Sequence, residues 1–124
     1  MSVTIIIVSY KSDSRIQKCL KNLGKKYKKI IIDTSKDMSL KTKVEKKFPK
    51  TKVILTSNNG YGAAMNYGVK KAKTKYVFMS TPDILLNNKT IKNLLSAAKK
   101  LNDNFAFLSP VTKTSKKKSF IEVE

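Results

Sequence analysis

The sequence has no histidine and a single cysteine, Cys19. These absences exclude a structural zinc site, an intramolecular disulfide and a histidine general base. No apolar stretch approaches the ~18–20 residues that a membrane-spanning helix needs. The longest, from Val3 to Val8, is interrupted by Thr4 and has the length of a strand. The first residues lack a basic start and a small-residue cleavage site, so no secretory signal is expected and the expected compartment is the cytoplasm. Acidic residues are also scarce: eight stand against 27 basic ones, giving a formal charge of +19. Arginine is nearly missing, since Arg15 is the only one and the remaining basic residues are lysines.

Such a charge concentrates any polyanion near the surface, whether nucleic acid, anionic lipid or nucleotide. The plainer reading is a lysine-rich solvated surface, because the lysines are spread along the whole chain. The lack of arginine weighs against base reading, since arginine is the usual bidentate partner of guanine and phosphate. Only Lys116, Lys117 and Lys118 form a tight run, the kind found in exposed loops and tails.

What is present is enough for one folded domain. The chain has 124 residues, of which 40% are hydrophobic, and a chain this long buries about two thirds of its unfolded surface. Val3–Ser9 reads as a β-branched strand buried on both faces. A helix capped by Asp13 or Ser14 follows, with Ile16, Cys19, Leu20 and Leu23 on one stripe and Gly24 at its end. Residues 29–33 read as a second strand, 37–47 as a weaker helix before Pro49, and 52–55 as a third strand. Three of the four glycines, Gly60, Gly62 and Gly68, fall in the next stretch. A helix is expected to start near Gly60 or Gly62, with Met65, Gly68, Val69 and Ala72 inward. Tyr76–Ser80 is a fourth strand, stopped at Pro82. Residues 88–101 carry the best amphipathic stripe: Ile91, Leu94, Leu95, Ala98 and Leu101. Residues 105–108 read as a short fifth strand, and 120–123 as an edge strand in a polar, basic tail.

This alternation predicts an α/β fold, a three-layer α/β/α sandwich with a mostly parallel central sheet. Ligands of such sheets bind beyond the carboxyl ends of the strands. Asp33 there suits a nucleobase N–H or a ribose hydroxyl, and equally suits a cap for the following turn. Asp83 is placed to hold a hard divalent cation with a substrate diphosphate, or to sit in an ordinary Pro-Asp turn. The stretch from Asn58 to Gly62 presents backbone N–H groups at a helix start. It is neither a Walker loop nor the dinucleotide fingerprint. Asn66 lies one turn further in, and Tyr10 stands where a ring can stack on a base or pack over a loop. Cys19 reads as core.

Taken in order, IIIVSYKS, IIIDTSKDMS, TSNNGYGAAMNYGVKKA and YVFMSTPDILL resemble the amino-terminal half of family 2 glycosyltransferases of the GT-A fold. The likeness is to the rhamnosyltransferase-like members and covers roughly residues 3 to 110. It implies a nucleotide-sugar-binding domain over 1–110 and a basic tail over 111–124, the tail being an edge strand or the start of an acceptor half. It implies that Ser9 and Tyr10 border the nucleoside, that Asp33 contacts base or ribose, and that Asn59, Gly60, Gly62 and Asn66 form the helix start beside the nucleotide. It implies that Asp83 is the metal and diphosphate carboxylate, with Mg2+ or Mn2+ as cofactor. The implied donor is a UDP- or dTDP-sugar, the acceptor a glycan or lipid-linked hydroxyl, and the reaction an inverting transfer in polysaccharide biosynthesis.

The chain departs from the family pattern at Lys11, Thr34 and Thr81, where relatives carry Asn, Asn, and Asn or Asp. No residue has the context of the family's carboxylate base, so the expectation is a fragment or a natural short form. The lysines allow peripheral contact with an anionic membrane at its inner face. The alternative is a small basic nucleic-acid-binding or regulatory α/β domain without catalysis, against which the lack of arginine counts.

Overall fold

Val3–Ser9 forms β1, and all seven residues are buried. That is the pattern of a central parallel strand, covered on both faces and therefore apolar at every position. The computed structural model describes residues 3–102, 104, 105 and 107–109, and the backbone of 112, 113, 119 and 120. The chain falls into two compact units, Met1–Leu86 and Asn87–Glu124.

In the first unit β1 is followed by α1 (Asp13–Leu23), β2 (Lys28–Asp33), α2 (Met38–Lys47), β3 (Thr51–Leu55), α3 (Tyr61–Lys71) and β4 (Tyr76–Ser80). The sheet order is β3-β2-β1-β4 and every pairing is parallel. Right-handed connections of parallel strands put α1 and α2 on one face. An ion pair between them, Lys43 Nζ to Asp13 Oδ2 at 2.7 Å, fits that placement. The hydrogen bonds from Lys43 and Gln17 hold the Asp13 carboxyl below its usual value, outweighing the effect of burial. The helix α3 lies on the other face, over Ile6, Val8, Ile30 and Ile32. The expected three-layer arrangement is therefore present in this unit.

The edge strand β3 is guarded. Glu45 of α2 accepts a hydrogen bond from the Val53 N–H at 2.8 Å, and Lys41 donates to the Val53 carbonyl at 2.6 Å. A charged pair laid on a free edge blocks pairing with a further strand.

The stripe of α3 is narrower than the sequence suggested. Ala64, Met65 and Gly68 are buried, whereas Val69 is 37% exposed. Gly68 explains this, because it lets the helix approach the sheet along a single row. A Cβ at Gly68 would stand 2.5 Å from Ile6 Cγ2 and 3.2 Å from Ile32 Cγ1. Both are branched side chains in the core and cannot swing aside. Gly68→Ala is therefore expected to cost about 1–3 kcal/mol by overpacking. The measurement is a urea titration, with a lower midpoint and an unchanged slope.

In the second unit α4 (Asn88–Lys100) buries Ile91, Leu95 and Ala98, while Leu101 at its end is 37% exposed. The Asn87 side chain caps it by accepting from the Thr90 N–H. Two short antiparallel strands follow, β5 (Thr112–Lys113) and β6 (Ser119–Phe120). Of the strand expected over 105–108, Leu108 forms one isolated bridge, and Ala106 lies outside the described residues. Of the strand expected over 120–123, Phe120 pairs and the rest lies outside them. Among the described residues no helix is long and apolar enough to cross a membrane.

Candidate functional site

Because the four strands are parallel, their carboxyl ends share one rim. The register sets Ser9 beside Asp33, Asp33 beside Leu55, and Ile7 beside Ser80. The order of strands reverses between β1 and β4, and crevices at such reversals are where open parallel sheets take ligands. The rim of β1 and β4 is thus the first place to look. The ends of β2 and β4 are two strand spacings apart, about 10 Å.

Ser9 closes β1. It is 1% exposed, and its hydroxyl has no hydrogen-bond partner. An unmade bond on a buried hydroxyl costs about 1–3 kcal/mol, so Ser9 Oγ is a donor and acceptor without a partner at the reversal point. Tyr10 follows and is half exposed. Lys11 adopts a left-handed φ of 48° and sets its ammonium 5.4 Å from the centre of the Tyr10 ring.

Asp83 comes three residues after β4. Its Oδ1 accepts from Arg15 Nη1 at 2.7 Å, with both side chains about two-thirds exposed. Arg15 is the only arginine of the chain and lies in the first turn of α1, the helix that leaves β1. The crevice between β1 and β4 is therefore bridged by one cation and one carboxylate, both open to solvent. Cys19 and Asn22 of α1 meet the carbonyl oxygens of Ile84 and Leu86, tying the segment after Asp83 to the same helix. Burial pushes the Cys19 thiol up, in keeping with a core role.

Asp33 closes β2 and has no exposed surface. Its Oδ1 accepts from the Ser35 hydroxyl at 2.8 Å and its Oδ2 from the Asp37 N–H at 2.7 Å. The Ser35 oxygen in turn accepts from the Lys11 N–H at 3.1 Å, joining the loops after β1 and β2. Lys36, inside this turn, has φ 53°. Two non-glycine residues in left-handed conformation thus flank Asp33, each at some energetic cost, and such strain gathers at functional sites.

The helix α3 starts at the rim after the glycine-rich loop. Asn58 Oδ1 accepts from the Gly60 N–H at 3.2 Å. Gly60, at φ 98°, is the N-cap and offers no side-chain cap. The first-turn N–H groups and the positive end of the helix dipole are left for an anion. Asn59 and Gly62 are exposed along this start, and Asn66 further along the helix. Gly62 has open space where a Cβ would stand.

Among the described residues no three His, Cys, Asp or Glu side chains gather as metal ligands. Asp83 alone fits a hard cation only when a diphosphate supplies further oxygens, the usual arrangement for magnesium.

Seven of the eight residues singled out from the sequence lie on or just beyond the carboxyl ends of β1 to β4 or in the first turn of α3, and the eighth, Asn66, is exposed at the middle of α3. Sequence reasoning passed over Arg15, although its being the sole arginine was a visible signal. It also passed over Tyr61, 53% exposed at the first position of α3.

The profile of the family described as glycosyl transferase family 2 matches residues 4–123. No curated protein matches the chain. Two solved structures of S. aureus TarS are similar to it, each with a TM-score of 0.67 over 82% of this chain. For the structure of TarS residues 1–349 the identity is 22% and the chain spans 33% of its length. For the other the identity is 19% and the span 20%. At these identities the likeness is one of fold.

Proposed function

The chain belongs to glycosyl transferase family 2 and carries its α/β GT-A fold, and from that premise we propose that the carboxyl rim binds the nucleotide diphosphate of an activated sugar. The observation that carries this reading is the pair of Arg15 and Asp83 across the reversal point of the sheet. A guanidinium fork matches phosphate oxygens two at a time, and a carboxylate beside it is the complement of a cation shared with the same phosphates.

The roles follow from the rim. Tyr10 offers its ring to the base. Asp33 has lone pairs left on both oxygens for a base N–H or a ribose hydroxyl, once the turn at 34–37 opens. Ser9 Oγ gains the partner it lacks. Asn59, Gly60, Gly62 and Asn66 line the helix start beside the nucleotide. Arg15 releases Asp83 and turns to the diphosphate. Asp83 would be the residue to hold a Mg2+ or Mn2+ ion, whose chemistry there would be neutralisation of the leaving group's charge.

The reaction served is inverting transfer of a sugar, of rhamnosyl type, to a glycan or lipid-linked hydroxyl. The anomeric carbon loses its bond to the diphosphate oxygen and gains one to the acceptor oxygen. The acceptor proton passes to a carboxylate base that is assigned to no residue of this rim.

Calorimetric titration with UDP and dTDP tests the reading. The expected result is one equivalent bound, tightened by manganese and little altered by moderate salt. Binding that ignores manganese, falls steeply with salt and is matched by RNA would overturn it in favour of a general polyanion binder.

A further inference from the structure

We propose that the opposite, amino-terminal rim of the sheet carries a second anion site: a lysine-lined cleft that takes a small ligand bearing two or more phosphate groups. The site is independent of the donor reading, because it lies where the strands begin and shares no residue with the carboxyl rim.

The cleft holds about 360 Å³ and is walled by the starts of β1, β2 and β3 and by the link from α3 to β4. Its charged lining is Lys28, Lys29, Lys50, Lys52, Lys71 and Lys73, with no carboxylate among the lining residues. The salt bridges of the described residues use Arg15, Lys41 and Lys43 instead. The fold gathers cations that look evenly spread in the sequence.

Helix ends do not account for this charge. The carboxyl ends of α1, α2 and α3 lie on this side, and each carries about half a negative charge. Together that is about −1.5, against the ammonium groups of Lys28, Lys50, Lys52, Lys71 and Lys73. The excess repels itself, and Lys29 lies buried beside it. Lys29 is 1% exposed, and its ammonium has one hydrogen bond, to the Gly24 carbonyl at 2.5 Å. Burial, with the charge of Lys50 added, pushes its pKa down.

The chemistry of the lining selects the ligand. Lysine meets phosphate as a flexible point charge. The lining holds no aromatic ring on which a base could stack, which disfavours single-stranded nucleic acid. The volume is that of a small-molecule pocket. A monovalent anion leaves most of the charge uncompensated, whereas a polyphosphate group answers several lysines at once.

The test uses the full chain at physiological salt with inorganic tripolyphosphate as probe. Lys50, Lys52 and Lys73 are replaced together by Ala, and a second variant replaces Lys18, Lys21 and Lys36, exposed lysines of the same unit that do not line the cleft. Both remove three charges. The wild type should bind one equivalent. The cleft variant should bind at least about tenfold more weakly, since charge-assisted bonds are lost. The control variant should change less than about twofold, as expected for screened distant charges. Without ligand, the cleft variant should melt no lower than the wild type, because repulsion is relieved. Proton titration of the Lys29 side chain by NMR should move upward with tripolyphosphate in the wild type only. Equal weakening in the two variants, or binding without a defined stoichiometry, overturns the site. So does RNA that displaces tripolyphosphate and is lost equally in both variants.

Discussion

Asp83→Ala should remove the manganese-dependent part of UDP or dTDP affinity, a loss of about tenfold to a hundredfold. The magnitude follows from a charge-assisted contact of about 1.5–3 kcal/mol at 1.4 kcal/mol per tenfold. The fold should survive, since the side chain is two-thirds exposed and its only described partner is the equally exposed Arg15. An exposed ion pair contributes under about 1 kcal/mol, so opening it for a ligand costs less than about fivefold in affinity. Arg15→Ala separates the two roles. It should leave nucleoside affinity unchanged and weaken the diphosphate by about tenfold, with or without manganese. Titrating nucleoside, monophosphate and diphosphate against the three proteins reads out each contact. Wild-type diphosphate affinity in Asp83→Ala, with its manganese dependence intact, would remove the carboxylate from the site.

The Arg15–Asp83 pair also shows where reading the sequence stops. The strands β1 and β2 were legible because doubly buried parallel strands are written as unbroken β-branched runs, and the edge strand β4 because Tyr76–Ser80 is rich in aromatic and apolar residues and stops at Pro82. Once they alternate with helices, the carboxyl ends must share one rim, so Ser9, Asp33 and Asp83 were locatable without coordinates. Alternation does not say on which side of β1 the fourth strand adds. That choice alone brings Asp83 to α1, across 68 positions of sequence, and makes the lone arginine part of the site. The same limit hid the amino-rim cleft, whose lysines come from three separate stretches of chain, 28–29, 50–52 and 71–73. Val69 was misplaced for a local reason: periodicity admits it to the buried stripe, but the close approach at Gly68 narrows that stripe to one row.

Asp33 is the residue at which structure and binding are hardest to separate, and two substitutions separate them. Asp33→Ala strips the acceptors from the Ser35 hydroxyl and the Asp37 N–H inside a region closed to solvent. Two orphaned donors at about 1–3 kcal/mol each come to roughly 4 kcal/mol, a large part of the stability of a domain this size. Asp33→Asn keeps the shape. Its amide oxygen accepts from the Asp37 N–H, and its amide nitrogen donates to the Ser35 oxygen once that hydroxyl rotates. The oxygen has two lone pairs and already accepts from Lys11. The expected cost in chemical denaturation is therefore only about 1 kcal/mol. The turn survives, but an N–H now stands where a base N–H or a ribose hydroxyl sought an acceptor. Affinity for UDP and dTDP should fall about tenfold in this folded variant, the effect of one mismatched hydrogen bond. If Asp33→Asn binds nucleotide like the wild type, Asp33 serves the turn alone, and recognition of the nucleoside passes to Ser9 and Tyr10.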